Sequence, residues 1–142
     1  MKLRDIMSRE IACLNADDTV EKAAQLMKSY NVGSIPICAQ NSVVGIITDR
    51  DIALRAISVG DDGYIQVKKV MTANPVVGTP DMDVDDAVRL MSENQIRRLP
   101  IVENNSLVGI VSLGDISVEP RLQDDAEIAL KNISKPEANR FS

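Results

Sequence analysis

Two short segments of the 142-residue chain share one pattern of residue types. Residues 45–51 read GIITDRD and residues 109–115 read GIVSLGD: a glycine, two apolar residues, a hydroxyl and, three residues later, an aspartate. Thr48 and Ser112 are expected where a strand gives way to a helix, beside backbone N–H groups that can receive an anion. Asp51 and Asp115 then lie in the first helical turn, where a carboxylate can accept hydrogen bonds from both hydroxyls of a ribose. The spacing therefore predicts a site for a sugar and an anion.

The same spacing has a purely structural interpretation. A hydroxyl residue followed three positions later by an acid is also a helix-capping box, in which each side chain accepts a hydrogen bond from the other residue's backbone N–H. An aspartate folded back onto the cap cannot easily hold a ribose as well. The geometry of the two aspartates therefore distinguishes the interpretations.

Two adjacent arginines form a second candidate site. Arg97 and Arg98 precede the apolar run LPIV, and successive strand residues face opposite ways, so one guanidinium could point toward a phosphate. The alternative is a pair of solvated surface arginines. The first half of the chain has Gly33 and Ser34 at the equivalent positions, so the predicted cleft is electrostatically asymmetric, although Arg50 and Arg55 could compensate.

These segments recur because the chain is an internal duplication. Residues 6–54 align without a gap on residues 70–118 at an offset of about 64, with about 15 identities over about 49 positions. Each half predicts the order β-α-β-β-α: an apolar run, a helix with an i, i+3, i+4, i+7 stripe, a hairpin and a short helix. Beyond Pro120, residues 122, 126, 129, 130 and 133 form a third helical stripe that could dock on this chain or on a partner.

Composition excludes several functions. The chain has no histidine, and its net charge is −5, with one Phe, two Tyr and no Trp. The commonest general base and metal ligand is therefore missing, and no cationic field or aromatic platform supports nucleic-acid binding. Cys13 and Cys38 lie in apolar runs without metal-ligand spacing, which predicts two buried thiols. No membrane segment or signal peptide is evident, so we expect a cytoplasmic protein that is not an enzyme.

Taken together, the duplication, the two G-h-h-[ST]-x-x-D endings and the x-x-h-P-h strands resemble a pair of cystathionine β-synthase (CBS) domains, called a Bateman module. The chain is most similar to stand-alone bacterial CBS pairs. The resemblance implies an α/β (α+β) fold in which two β-α-β-β-α motifs pack by pseudo-two-fold symmetry into one module. The implied divisions are CBS motif 1 at residues 1–57, a connector at 58–68, CBS motif 2 at 69–119, and a C-terminal helix and flexible tail at 120–142.

The resemblance also implies site residues, matched position by position. The ribose-binding aspartates are Asp51 and Asp115, with Thr48 and Ser112 as hydroxyl partners, and the phosphate-facing pair is Arg97 and Arg98. The adenine-lining positions are Ser8, Ala12, Val32, Gly33 and Ile110 for the Asp115 cleft, and Ile46, Thr72, Val76, Ile96 and Arg97 for the Asp51 cleft.

The function implied is regulatory binding of an adenine nucleotide, AMP, ADP or ATP, by a homodimer that signals to a protein partner the sequence does not identify. S-adenosylmethionine or NADH is an alternative ligand. A dimeric scaffold with empty clefts is the alternative function. No nucleic acid, membrane, metal or catalytic cofactor is expected.

Overall fold

Each repeat contains one long helix, and the residues that it buries are those of the predicted apolar stripe. A computed structural model describes residues 1–60, 62–119 and 123–135, in which α1 spans Val20–Tyr30 and α3 spans Val84–Asn94. Thr19 caps α1, because its hydroxyl accepts a hydrogen bond from the backbone N–H of Lys22 at 3.2 Å. Both helices end at a residue in the left-handed conformation, Asn31 or Gln95. The buried positions of the two helices are Val20, Ala23 and Met27, and Val84, Ala87, Val88 and Met91.

A four-stranded sheet forms the first of two compact units, residues 10–75 with residues 104–107, here called the first-repeat unit. Its strands are β1 (Leu14–Asn15), β2 (Ser34–Ala39), β3 (Ser42–Thr48) and β4 (Thr72–Ala73), in that spatial order. Strand β1 is parallel to β2, and β3 is antiparallel to both of its neighbours. The two-residue turn at Gln40 and Asn41 has positive φ at both residues, which matches the right-handed twist of a hairpin.

The second compact unit contains residues 1–9, residues 76–103 and the described residues from 108 onward, here called the second-repeat unit. Strands β5 (Arg98–Glu103) and β6 (Ser106–Ser112) form its hairpin. The N-terminal segment of the chain belongs to this core: Leu3 is fully buried in it, and the backbone N–H of Leu3 donates to the carbonyl of Met82 at 3.0 Å.

The short helix that closes each repeat differs between the two copies. In the first copy, α2 (Asp49–Asp51) widens into a π-helix at Ile52–Ala56 and ends in a 3₁₀ turn at Ile57–Val59. In the second copy, α4 is one regular turn at Leu113–Ser117. The sequence predicted a single short helix in each place, so the irregular geometry of the first copy is a correction.

The third predicted helix is present as α5 (Gln123–Ile133). Ala126, Ala129 and Ile133 are buried in the second-repeat core, whereas Leu130 is 42% exposed. Helix α5 packs against α3 and α4, and Gln95 Nε2 donates to the carbonyl of Asn132 at 3.3 Å. The predicted stripe therefore docks on its own unit, while Leu122 and residues 136–142 lie outside the described residues. No helix in the described ranges is long and apolar enough to cross a membrane.

The main chain of strand β4 passes so close to Gly45, at the start of the first motif, that a larger residue would not fit there. A Cβ added to Gly45 meets the Met71 side chain and lies 2.9 Å from the Thr72 carbonyl oxygen on β4. We expect Gly45→Ala to lower the free energy of unfolding by about 1–3 kcal/mol, because that carbonyl belongs to a paired strand and cannot move freely. Chemical denaturation measures the loss. Gly114→Ala is the control, since the nearest atom to its new Cβ is 3.5 Å away, and an equal loss in both variants would contradict this explanation.

Candidate functional site

The two hydroxyl–aspartate pairs form matching helix caps. Thr48 N–H donates to Asp51 Oδ2 at 3.0 Å, and Asp51 N–H donates to Thr48 Oγ1 at 3.0 Å. Ser112 N–H donates to Asp115 Oδ2 at 2.9 Å, and Asp115 N–H donates to Ser112 Oγ at 3.1 Å. The capping interpretation is therefore confirmed in both repeats. Capping uses only Oδ2 of each carboxylate and leaves Oδ1 outside the cap. The expectation that a capped aspartate cannot hold a ribose therefore does not follow from this geometry.

The Oδ1 atoms of Asp51 and Asp115, which take no part in capping, have different neighbours. Asp51 Oδ1 lies 3.8 Å from Arg55 Nε, and Arg55 Nη1 also donates to the carbonyl of Val70 at 3.4 Å. Within the described part of the chain, Asp115 Oδ1 has no such cation. Arg55 therefore lies beside the uncapped oxygen of Asp51, whereas no described cation lies beside the uncapped oxygen of Asp115.

Backbone pairing places one predicted adenine-lining pair beside each cap. In the second-repeat unit, Ser8 and Ile110 exchange two backbone hydrogen bonds of 2.9 and 3.0 Å. In the first-repeat unit, Thr72 is the register partner of Ile46 across β4 and β3. Ile110 and Ile46 lie on the strands that run into Ser112 and Thr48, so their partners Ser8 and Thr72 lie near the caps. Their role as adenine-lining residues stays a prediction.

Both arginines border a groove of about 560 Å³ in the second-repeat unit. Arg97 is anchored by its main chain, because its carbonyl accepts a hydrogen bond from the backbone N–H of Leu113 at 2.8 Å. Arg97 is exposed and Arg98 half-buried, and neither guanidinium forms an ion pair with a described residue. The groove lining is Arg97, Arg98, Ser112, Leu113, Gly114, Ser117, Ala126, Glu127 and Leu130. Two unpaired cations beside a capping hydroxyl make this groove suited to an anion.

The equivalent place in the first repeat carries the opposite charge. The carbonyl of Gly33 accepts a hydrogen bond from the backbone N–H of Asp49 at 2.9 Å, matching the contact between Arg97 and Leu113. A Cβ added to Gly33 would lie 3.2 Å from Asp49 Oδ2. A carboxylate therefore stands where the second repeat presents arginines, which disfavours a phosphate at the first helix start.

The remaining predicted lining positions divide between the units. Val76 and Ile96 are half-buried against the second-repeat core, and Val32 packs against the first-repeat core. Ala12 is half-buried in the first-repeat unit, which also contains Gly33. Their assignment to clefts formed with the opposite repeat stays a prediction.

Three polar residues at these places were missed by the sequence analysis. Ser117 and Glu127 line the groove because α4 and α5 pack together, and no local motif marks them. Ser34 is the register partner of Thr48, and its Oγ is buried without a hydrogen-bond partner among the described residues. Alignment of the repeats had placed Ser34 opposite Arg98, and this equivalence could have marked Ser34 as a candidate site residue.

The cysteines depart from their predicted environment. Cys38 is buried, as expected, but Cys13 is exposed, because it lies just before the short strand β1 and outside the core. Among the described residues, no group of three His, Cys, Asp or Glu side chains could hold a metal ion.

The chain is a tandem repeat in which each copy has one capped helix start, and the second of these lies beside a groove bordered by two arginines. The CBS-domain family profile matches residues 3–57 and 67–119. The chain belongs to the CBS-domain family, as a pair of CBS motifs. It is 47% identical over 132 residues to CBS domain-containing protein YhcV of Bacillus subtilis, covering 93% of this chain and 94% of that protein.

Solved structures of CBS pairs have the same fold. The Hypoxic Response Protein I structure with two coordinated zinc ions has a TM-score of 0.78 and 29% identity, covering 84% of this chain and 98% of that one. The CBS pair of protein MJ0100, in complex with 5′-methylthioadenosine and S-adenosyl-L-methionine, has a TM-score of 0.74 and 29% identity, covering 82% and 93%. The predicted family and mixed α/β fold class are therefore confirmed.

Proposed function

We propose that this protein is a regulatory module without catalytic activity that binds an adenosine-containing ligand, with its main site at Asp115. Two observations carry the proposal. Among the described residues no cation faces Asp115 Oδ1, and the groove that Ser112 lines is bordered by Arg97 and Arg98, which form no ion pair with a described residue. A ribose needs an acceptor for its hydroxyls, and a phosphate needs cationic donors. We assign the ribose to Asp115 and the phosphate to the two arginines, both near the end of β6.

Charge supports an adenine nucleotide at this site. The groove carries two guanidinium groups and one carboxylate, Glu127. A planar guanidinium can donate two hydrogen bonds to a phosphate, so a monophosphate has enough donors. The methylthioadenosine and S-adenosylmethionine complex of the MJ0100 pair supports the broader adenosyl class and makes S-adenosylmethionine the second candidate ligand.

The proposal is tested by calorimetric titration of the full chain with AMP, ADP, ATP, S-adenosylmethionine and NADH. A small open site with few anchors predicts a dissociation constant in the micromolar range or weaker, corresponding to about 5–8 kcal/mol. No heat with any ligand, together with no small molecule accompanying the protein from cells by mass spectrometry, would favour the scaffold function instead.

Asp115→Asn separates the ribose role from capping. Asparagine retains an oxygen that can accept the Ser112 N–H bond, but it replaces the free, charged oxygen with an amide. We expect AMP affinity to fall by about 10-fold or more, as for loss of a charge-assisted hydrogen bond, while the thermal midpoint changes little. Calorimetry and thermal unfolding measure the two effects.

Asp51→Asn is the matched control, because Arg55 already faces its second oxygen. Its effect on AMP affinity should stay within about threefold, because Arg55 already occupies that oxygen in a long ion pair. Equal losses in the two variants, or unchanged affinity in Asp115→Asn, would contradict the assignment of the main site.

We also propose that the protein acts as a homodimer in the cytoplasm and signals to a protein partner. Exposed apolar side chains at the end of the first repeat, Leu54, Ile57 and Val59, support contact with a second copy. The ligand would act by preferring one arrangement of the two repeats, and the partner would read the resulting shift in population.

A further inference from the structure

The two cysteines of the chain meet in the first-repeat unit. Cys13 directly precedes β1, and Cys38 lies on β2, where Asn15 is its register partner across the parallel pair. Side chains two residues apart on a strand share a face, so Cys13 lies on the same face as Asn15 and Cys38. The Cys13 side chain lies near enough to the Cys38 thiol to raise its pKa. The fold therefore brings close together two cysteines that lie far apart in sequence.

The two thiols differ in access to solvent. Cys13 is exposed, whereas Cys38 is only 8% exposed. Burial, and then the neighbouring Cys13, raises the pKa of the Cys38 thiol to about 11. Cys38 therefore stays protonated at neutral pH and is shielded from reagents in solution. An oxidant reaches Cys13 first, with Cys38 already held beside it.

We propose that Cys13 and Cys38 are an oxidisable pair that closes into an intrachain disulfide on reaction with a peroxide. The Cys13 thiolate attacks one peroxide oxygen, the O–O bond breaks, and a sulfenic acid forms on Cys13 as the other oxygen leaves as water after protonation. The Cys38 sulfur then attacks the Cys13 sulfur, the S–O bond breaks, and the departing hydroxide takes the Cys38 proton. Two thiols are oxidised to one disulfide, and hydrogen peroxide is reduced to two water molecules.

The bond would tie the segment before β1 to β2. It closes a loop between residues 13 and 38, which removes freedom from the unfolded chain and raises the thermal midpoint by about 5 °C or more. Cys13 also follows Ala12, one of the predicted adenine-lining residues. An effect on ligand affinity therefore rests on the proposed function, whereas formation of the bond does not.

The test is the mass of the full chain after treatment with hydrogen peroxide and then N-ethylmaleimide. We expect a loss of about 2 Da, no maleimide adduct, a peptide linking Cys13 to Cys38, and full reversal by dithiothreitol. Both cysteines still alkylated, a stable oxygen adduct on Cys13, or a disulfide between two chains would each overturn the proposal.

Two serine variants test the order of the steps. In Cys38→Ser, peroxide should leave a sulfenic acid on Cys13 that is trapped by dimedone, because the second thiol is missing. In Cys13→Ser, the buried Cys38 should remain reduced and react slowly. Serine is close in size to cysteine, and thermal unfolding of the reduced variants checks that they fold. Dimedone labelling of Cys38 in place of Cys13 would contradict the assigned roles.

Discussion

Replacing Arg97 and Arg98 together by alanine should weaken AMP binding by about 100-fold, which is the effect of losing two charge-assisted contacts to one phosphate. Neither guanidinium forms an ion pair with a described residue, and both border the groove beside Ser112. Replacing the two arginines therefore breaks no salt bridge among the described residues. Isothermal titration calorimetry of the double variant measures the loss, and the difference from the parent protein should shrink as salt is raised.

Ligand chemistry supplies the internal control for this prediction. Adenosine and 5′-methylthioadenosine have the ribose and base but no phosphate, so their affinities should change by less than about threefold. Lys68→Ala with Lys69→Ala removes the same two charges from the first-repeat unit and should leave AMP binding nearly unchanged. An equal loss for AMP and adenosine would show that the arginines do not hold the phosphate.

Leu3→Ala should lower the free energy of unfolding by about 2–5 kcal/mol, the usual cost of emptying a fully buried leucine site. Leu3 has no exposed surface and packs in the second-repeat core with residues of α3, β5 and β6. The same N-terminal segment carries Ser8, which is bonded to Ile110 next to the Asp115 cap. Loss of Leu3 packing should therefore loosen the candidate site as well as the core.

Urea unfolding followed by circular dichroism measures this change. Val118→Ala is the control, because Val118 is 79% exposed and its truncation should cost less than about 0.5 kcal/mol. If Leu3→Ala were as mild as Val118→Ala, the first nine residues would not be part of the second-repeat core, and deleting them would leave that unit intact.

The sequence by itself determined the features that depend on neighbours in the chain. The duplication, the helical stripes and the hairpins were predicted, and capping at Thr48 and Ser112 was one of two interpretations of their spacing. Apart from the duplication, which the sequence shows when it is aligned on itself, each of these features involves residues close together in the chain, where backbone geometry and side-chain type suffice. The residues matched to the CBS family had the same basis, since its motifs are short and recur in order.

Only the tertiary structure showed which residues surround each of these local features, and that the surroundings differ between the two repeats. Arg55 faces Asp51 while no described cation faces Asp115, Leu3 joins the core of the second repeat, and α5 completes a groove with Arg97 and Arg98. The proximity of Cys13 and Cys38 was likewise missed. Such contacts depend on how strands and helices pack over long sequence separations, where many arrangements satisfy the same apolar pattern, so local spacing cannot select among them.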